Sequence, residues 1–69
     1  MKIQKLITKE INNHKNNIDY WGTEKNIENE NFIFDYVLSK NIVNQDWFDN
    51  RLKCTSVELL QDLLKQVYS

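Results

Sequence analysis

Few residues of this chain have the chemical type for catalysis or ligation. They are His14, Cys54 and carboxylates that recur in pairs: Glu28 with Glu30, Asp46 with Asp49, Glu58 with Asp62. A metal centre needs several His, Cys or carboxylate ligands at fitting spacings, and one His far from one Cys does not announce one. His14 falls at the edge of an apolar stripe and reads as a half-buried boundary histidine. A nucleophilic cysteine needs a base and a lowered pKa. Cys54 stands just before a helix start, which favours the thiolate somewhat, but its place in a turn between helices better suits a small apolar plug. Paired carboxylates do acid–base work only when held in a cleft; on short helices they read as a solvated face. No Gly-rich phosphate loop, Ser nucleophile motif or dinucleotide fingerprint is present. The chain is therefore expected to be no enzyme and to carry no catalytic residue, metal or cofactor.

The bulk properties agree. Sixty-nine residues make one domain, 1–69, near the lower size limit for folding without staples. The core is expected to be one layer thick, with no room for an ordinary buried cleft. A net charge of −1 sets up no field that recruits nucleic acid or anionic membrane. One cysteine permits no intramolecular disulfide and suits a reducing, cytoplasmic setting. Lys2 and Lys5 are followed by no apolar run of signal-peptide type. No stretch approaches the roughly 20 apolar residues of a membrane span. With no proline and only Gly22, the chain has few helix breakers. Heavy use of Asn, Ile and Lys suggests an AT-rich coding sequence, as in low-GC bacteria and their phages.

Four helices are predicted to position these residues. The first spans 2–17, where Ile3, Leu6, Ile7, Ile11, His14 and Ile18 trace one stripe; Lys2, Lys5, Lys9, Asn12 and Asn16 share another face. Gly22 supplies a break, and Thr23 caps a second helix over 24–40, with Glu24 in its first turn. Ile27, Phe34 and Leu38 share a face there, with Ile33 and Val37 beside it. The run Phe32–Leu38 is also rich in strand formers, so the alternative is a small α+β fold with a hairpin within 18–38. Asn41 followed by Ile42 suits a left-handed helix exit. Asn44 caps a third helix over 45–53, with Val43 stapled against Phe48. Thr55-Ser56-Val57-Glu58 is a capping box opening a fourth helix over 56–68, striped by Leu59, Leu60, Leu63, Leu64 and Val67. The expected fold is an all-α compact four-helix bundle with a helix-turn-helix-like C-terminal half. The second and fourth helices are expected to form most of its core.

The segment Phe48 to Leu63, about a quarter of the chain, resembles the helix-turn-helix family. Phe48 and Leu52 would be core positions of the first helix and Cys54 the turn plug. Thr55 would cap the second helix, with Leu59 and Leu63 pointing inward. The resemblance implies a nucleic-acid-binding regulator using segment 45–68. Two positions depart from the pattern: Asp49 where a small residue is usual, and Lys53 where glycine is usual. The outer face of the second helix carries Ser56, Glu58, Gln61 and Asp62, with Lys65 only near its end. Affinity for DNA rests on neutralising phosphates and base reading on Arg, Lys, Asn or Gln, so the acidic pair opposes binding. Lys2, Lys5 and Lys9 are the basic surface left for nucleic-acid contact, and nucleic acid is not the expected partner.

Eight aromatic residues exceed what so thin a core hides. Phe32 and Tyr36, one turn apart, together with Trp47, Arg51 and Trp21, are the expected partner-binding residues, in the manner of interface hot spots. The expected function is a small cytoplasmic protein-binding module, an adaptor or stoichiometric inhibitor. By analogy alone it resembles small regulators of low-GC bacteria and phages. Its partner would be another protein, with a homo-oligomer allowed and no membrane involved.

Overall fold

A computed structural model describes residues 2–68. Its elements are α1 (Ile3–Asn16), a short 3₁₀ turn (Ile18–Tyr20), α2 (Glu24–Ser39), α3 (Gln45–Asp49) and α4 (Ser56–Tyr68). There is no strand among the described residues. The run Phe32–Leu38 is helical, so the all-α expectation holds and the hairpin alternative falls. No helix is long and apolar enough to cross a membrane.

The local signals that set the helix ends are realised as hydrogen bonds. The Thr23 hydroxyl accepts from Asn26 N at 3.2 Å and opens α2. At its far end Ile42 N donates to Val37 O (2.9 Å) and Asn41 N to Leu38 O (3.1 Å), with Asn41 at φ 57°. This paired 6→1 and 5→2 pattern is a Schellman exit. Asn44 accepts from Trp47 N at 3.0 Å and opens α3. The capping box of α4 is reciprocal: Glu58 N donates to Thr55 Oγ1 (3.2 Å) and Thr55 N to Glu58 Oε1 (3.1 Å).

The core consists of Ile3, Leu6, Ile7 and Ile11 from α1, Ile33 and Val37 from α2, Val43, and Leu60 and Leu63 from α4. Here α1 is the central element. It packs most extensively on α4 and next on α2, whereas the pattern had assigned most of the core to the second and fourth helices. The reason lies in α2. Its buried side is the Ile33–Val37 edge, while Ile27 from the expected face is exposed.

Two further expectations fail. Helix α3 stops at Asp49, not at 53, because Arg51 N turns back to Phe48 O (2.9 Å) and Cys54 N to Arg51 O (3.0 Å). Leu52 thereby leaves the helical path and is 82% exposed, so it is not a core position. Ile18, taken as the end of the first stripe, lies past the end of α1 and is also exposed.

Candidate functional site: a buried carboxylate–histidine cluster beneath an apolar groove

The inner face of α2 is polar over its first half and apolar over its second, and that of α1 turns from apolar to largely polar, with Ile11 still in the core. On α1 the stripe Ile3, Leu6, Ile7 continues at helical spacing into Glu10, Asn13 and His14. On α2 the stripe begins with Asn26, Asn29 and Glu30 and continues into Ile33 and Val37. The polar half of α1 meets the polar half of α2, and the result is a hydrogen-bonded cluster at one end of the core.

Glu10 is its centre and is fully buried. Its Oε1 accepts from the Tyr20 hydroxyl (2.5 Å) and from Asn29 Nδ2 (2.6 Å), and its Oε2 accepts from Asn26 Nδ2 (3.2 Å). Asn26, also buried, donates to Glu30 Oε2 as well. The Asn26 amide is oriented by its other end, because Gly22 N donates to Asn26 Oδ1 at 2.9 Å. His14 Nε2 lies 3.3 Å from Glu30 Oε2 and 3.1 Å from Asn26 Nδ2. A proton on Nε2 makes the imidazole a donor to Glu30. The edge of one ring meets the face of the other between His14 and Tyr20, with centroids 5.1 Å apart. Burial, together with the hydrogen bond to Glu10, pushes the Tyr20 phenol above its ordinary value of 10.0.

The electrostatics of the cluster are unusual for a core. Buried charges are normally paired or bound to metal, yet among the described residues no lysine or arginine pairs with Glu10 or Glu30. The ion pairs found are His14–Glu30 and Arg51–Asp62. Glu10 is held instead by the uncharged donors Tyr20, Asn29 and Asn26. One ligand atom each from Glu10, His14 and Glu30 lie within 4.8 Å of one another.

The sequence reading set His14 against Cys54 alone and did not bring Glu10 and Glu30 together with it. His14 does lie at the edge of the apolar stripe, but its side chain, 6% exposed, faces a carboxylate. Sequence spacing carried a signal for this. Glu10 stands three residues after Ile7 and four before His14, on the stripe itself, and Glu30 stands four after Asn26. The signal is weak, because an exposed Glu at that spacing looks the same until a second helix covers it.

The cluster borders the surface. Asn26 and Glu30 also line a groove formed with Trp21, Ile27, Asn31 and Phe34. Trp21 is 72% and Ile27 51% exposed. The other residues expected to bind a partner lie elsewhere. Phe32 is exposed and stacks on Tyr36, with centroids 6.5 Å apart, but Tyr36 is half-buried against the core. Trp47 also packs on the core, and its indole carries the Arg51 guanidinium 3.9 Å above the ring centre. Arg51 donates to Trp47 O at 2.9 Å and lies 3.4 Å from Asp62. Trp47 and Arg51 therefore tie the α3 region to α4. Lys2, Lys5 and Lys9 are all exposed on α1 and its N-cap. Cys54 is half-buried and free of disulfide.

Comparison with protein-family models, with curated proteins and with solved structures returned no match.

Proposed function

We propose that this chain is a protein-binding module that docks through the Trp21–Ile27 groove onto an amphipathic segment bearing an apolar anchor and basic residues. The observation carrying this reading is the exposure of two large apolar side chains, Trp21 and Ile27, on the walls of one groove. Exposed aromatic and aliphatic residues around a concavity are the usual anchors of protein recognition. Charge selects the occupant: residues 19–35 carry Asp19, Glu24, Glu28, Glu30 and Asp35 against Lys25 alone. Complementary charge of this kind speeds encounter and rejects acidic partners. Trp21 is retained from the residues expected to bind; Ile27 is added, and Trp47 and Arg51 are assigned instead to internal packing. A nucleic-acid regulator has less support, since Glu58 and Gln61 are exposed on the would-be reading helix.

The test uses the wild-type chain and a Trp21→Ala/Ile27→Ala variant as parallel baits in cell extract. The binding segment of any stoichiometric partner is then synthesised and titrated. Expected is a basic amphipathic peptide whose affinity falls at least about tenfold in the variant, an interface loss of about 1.4 kcal/mol or more. It also weakens with added salt. Equal capture by both baits overturns the reading. So does self-association of the wild type that the variant abolishes, because the groove's occupant is then a second copy.

A further inference from the structure

We propose that Glu10, His14 and Glu30 bind a divalent first-row transition-metal ion, with Zn²⁺ the best-fitting case. The donor set is one imidazole nitrogen and two carboxylate oxygens, a mixture such ions accept, with a fourth position left for water. The three ligand atoms come from α1 and α2 and lie within 4.8 Å of one another. A tetrahedral ion with bonds of about 2.0–2.2 Å holds its ligands about 3.3–3.6 Å apart. The His14 Nε2–Glu30 Oε2 spacing is already 3.3 Å, and the wider spacings have to contract by up to about 1 Å.

Three features beyond the ligand set point to a cation. First, two carboxylates are drawn into the protein with no lysine or arginine partner among the described residues, and His14 is the one basic side chain paired with them there. Second, the Glu10 carboxylate is held as a metal ligand is held. Tyr20 and Asn29 bind Oε1, which leaves Oε2 to the Asn26 amide; fixing a carboxylate in this way is the role of outer-shell hydrogen bonds in metal sites. Third, the point where the ligand atoms converge is taken by a single amide nitrogen. Asn26 Nδ2 contacts Glu10 Oε2, His14 Nε2 and Glu30 Oε2 together. An amide nitrogen carries only two protons, so it is a partial substitute for a centre of positive charge. An ion at that point displaces the amide and releases the Gly22 N–H that Asn26 Oδ1 accepts.

The probes are ZnCl₂ and CoCl₂ added to the metal-free chain. Calorimetry is expected to give one Zn²⁺ per chain, with a rise in Tm. Co²⁺ is expected to develop the visible absorption of a low-symmetry four-coordinate ion. In the amide spectrum the cross-peak of Gly22, the chain's single glycine, is expected to shift on binding. Glu30→Gln keeps the rim side chain and its shape, and His14→Gln keeps a polar group at that place. Each is expected to weaken Zn²⁺ at least about tenfold while retaining the helical circular dichroism of the wild type. If Zn²⁺ binds wild type and both variants alike, the ion sits on surface carboxylates and the proposal is overturned. It is equally overturned if the folded wild type shows no saturable binding. Failure here leaves the groove reading untouched, because Trp21 and Ile27 contribute no ligand.

Discussion

Tyr20 places the only phenol of the polar cluster against a carboxylate with no solvent contact. Its hydroxyl donates to Glu10 Oε1 at 2.5 Å, and Glu10 is fully buried. Removing a donor from a buried acceptor costs more than the bond's net worth, because the acceptor stays desolvated. Tyr20→Phe keeps the ring and its edge-to-face contact with His14, so it isolates the hydroxyl. The expected loss is about 1–3 kcal/mol of unfolding free energy, measured by urea denaturation at neutral pH; an unchanged midpoint would show that Asn29 and Asn26 suffice for Glu10. At this scale the sequence was least legible. The identities of Glu10, His14 and Glu30 were plain, but nothing in a one-dimensional pattern distinguishes a Glu that faces water from one that faces a second helix.

The helix caps behave in the opposite way. A cap is made by residues two or three positions apart, so its chemistry is complete within the local chain. Thr23, Asn44 and the Thr55–Glu58 box all form the bonds their spacing implied. The exit at Asn41 formed as well. Thr55→Ala is expected to cost about 1 kcal/mol, read as a lower melting temperature. Glu58 is held below the ordinary glutamate value of 4.5, first by the Thr55 N–H and then by the Thr55 side chain. A carboxylate favoured in the folded state adds stability above its unfolded pKa. That stability is lost as pH falls through the lowered folded value. The melting temperatures of wild type and Glu58→Gln should therefore converge as pH drops below 4.5, and a gap that stays constant into acid would show that the carboxylate form is not what caps α4. The short α3 is where local reading failed. Arg51 leaves the helix to reach Trp47 O and Asp62, and Asp62 belongs to another element.

At the scale of the molecule, one layer of nine buried apolar residues among those described carries the fold, and α1 lies at its middle. Leu63 is fully buried in the core cluster, so Leu63→Ala is expected to cost roughly 2–5 kcal/mol. In a domain this small that is a large share of total stability, and the thermal transition of the variant should fall or vanish. Trp21→Ala/Ile27→Ala removes exposed surface instead and should leave the transition almost in place, which separates a docking surface from a core. Phe32→Ala should likewise change stability little, whereas Tyr36→Ala, half-buried against the core, should lower it.

The sequence by itself determined the helical class, three of the four helix starts with their caps, the exit of α2 and the apolar stripes of α1 and α4. Each of these rests on contacts within a turn or two of chain. Only the tertiary structure decided which edge of α2 faces inward, and that choice has the larger consequence. It exposes Ile27 beside Trp21, buries Ile33 and Val37, and turns Asn26 and Glu30 toward Glu10 and His14. The physical reason is that the face a helix buries is set by the partner covering it. The carboxylates and histidine that began as scattered residues became one cluster when α1 and α2 brought their polar halves together.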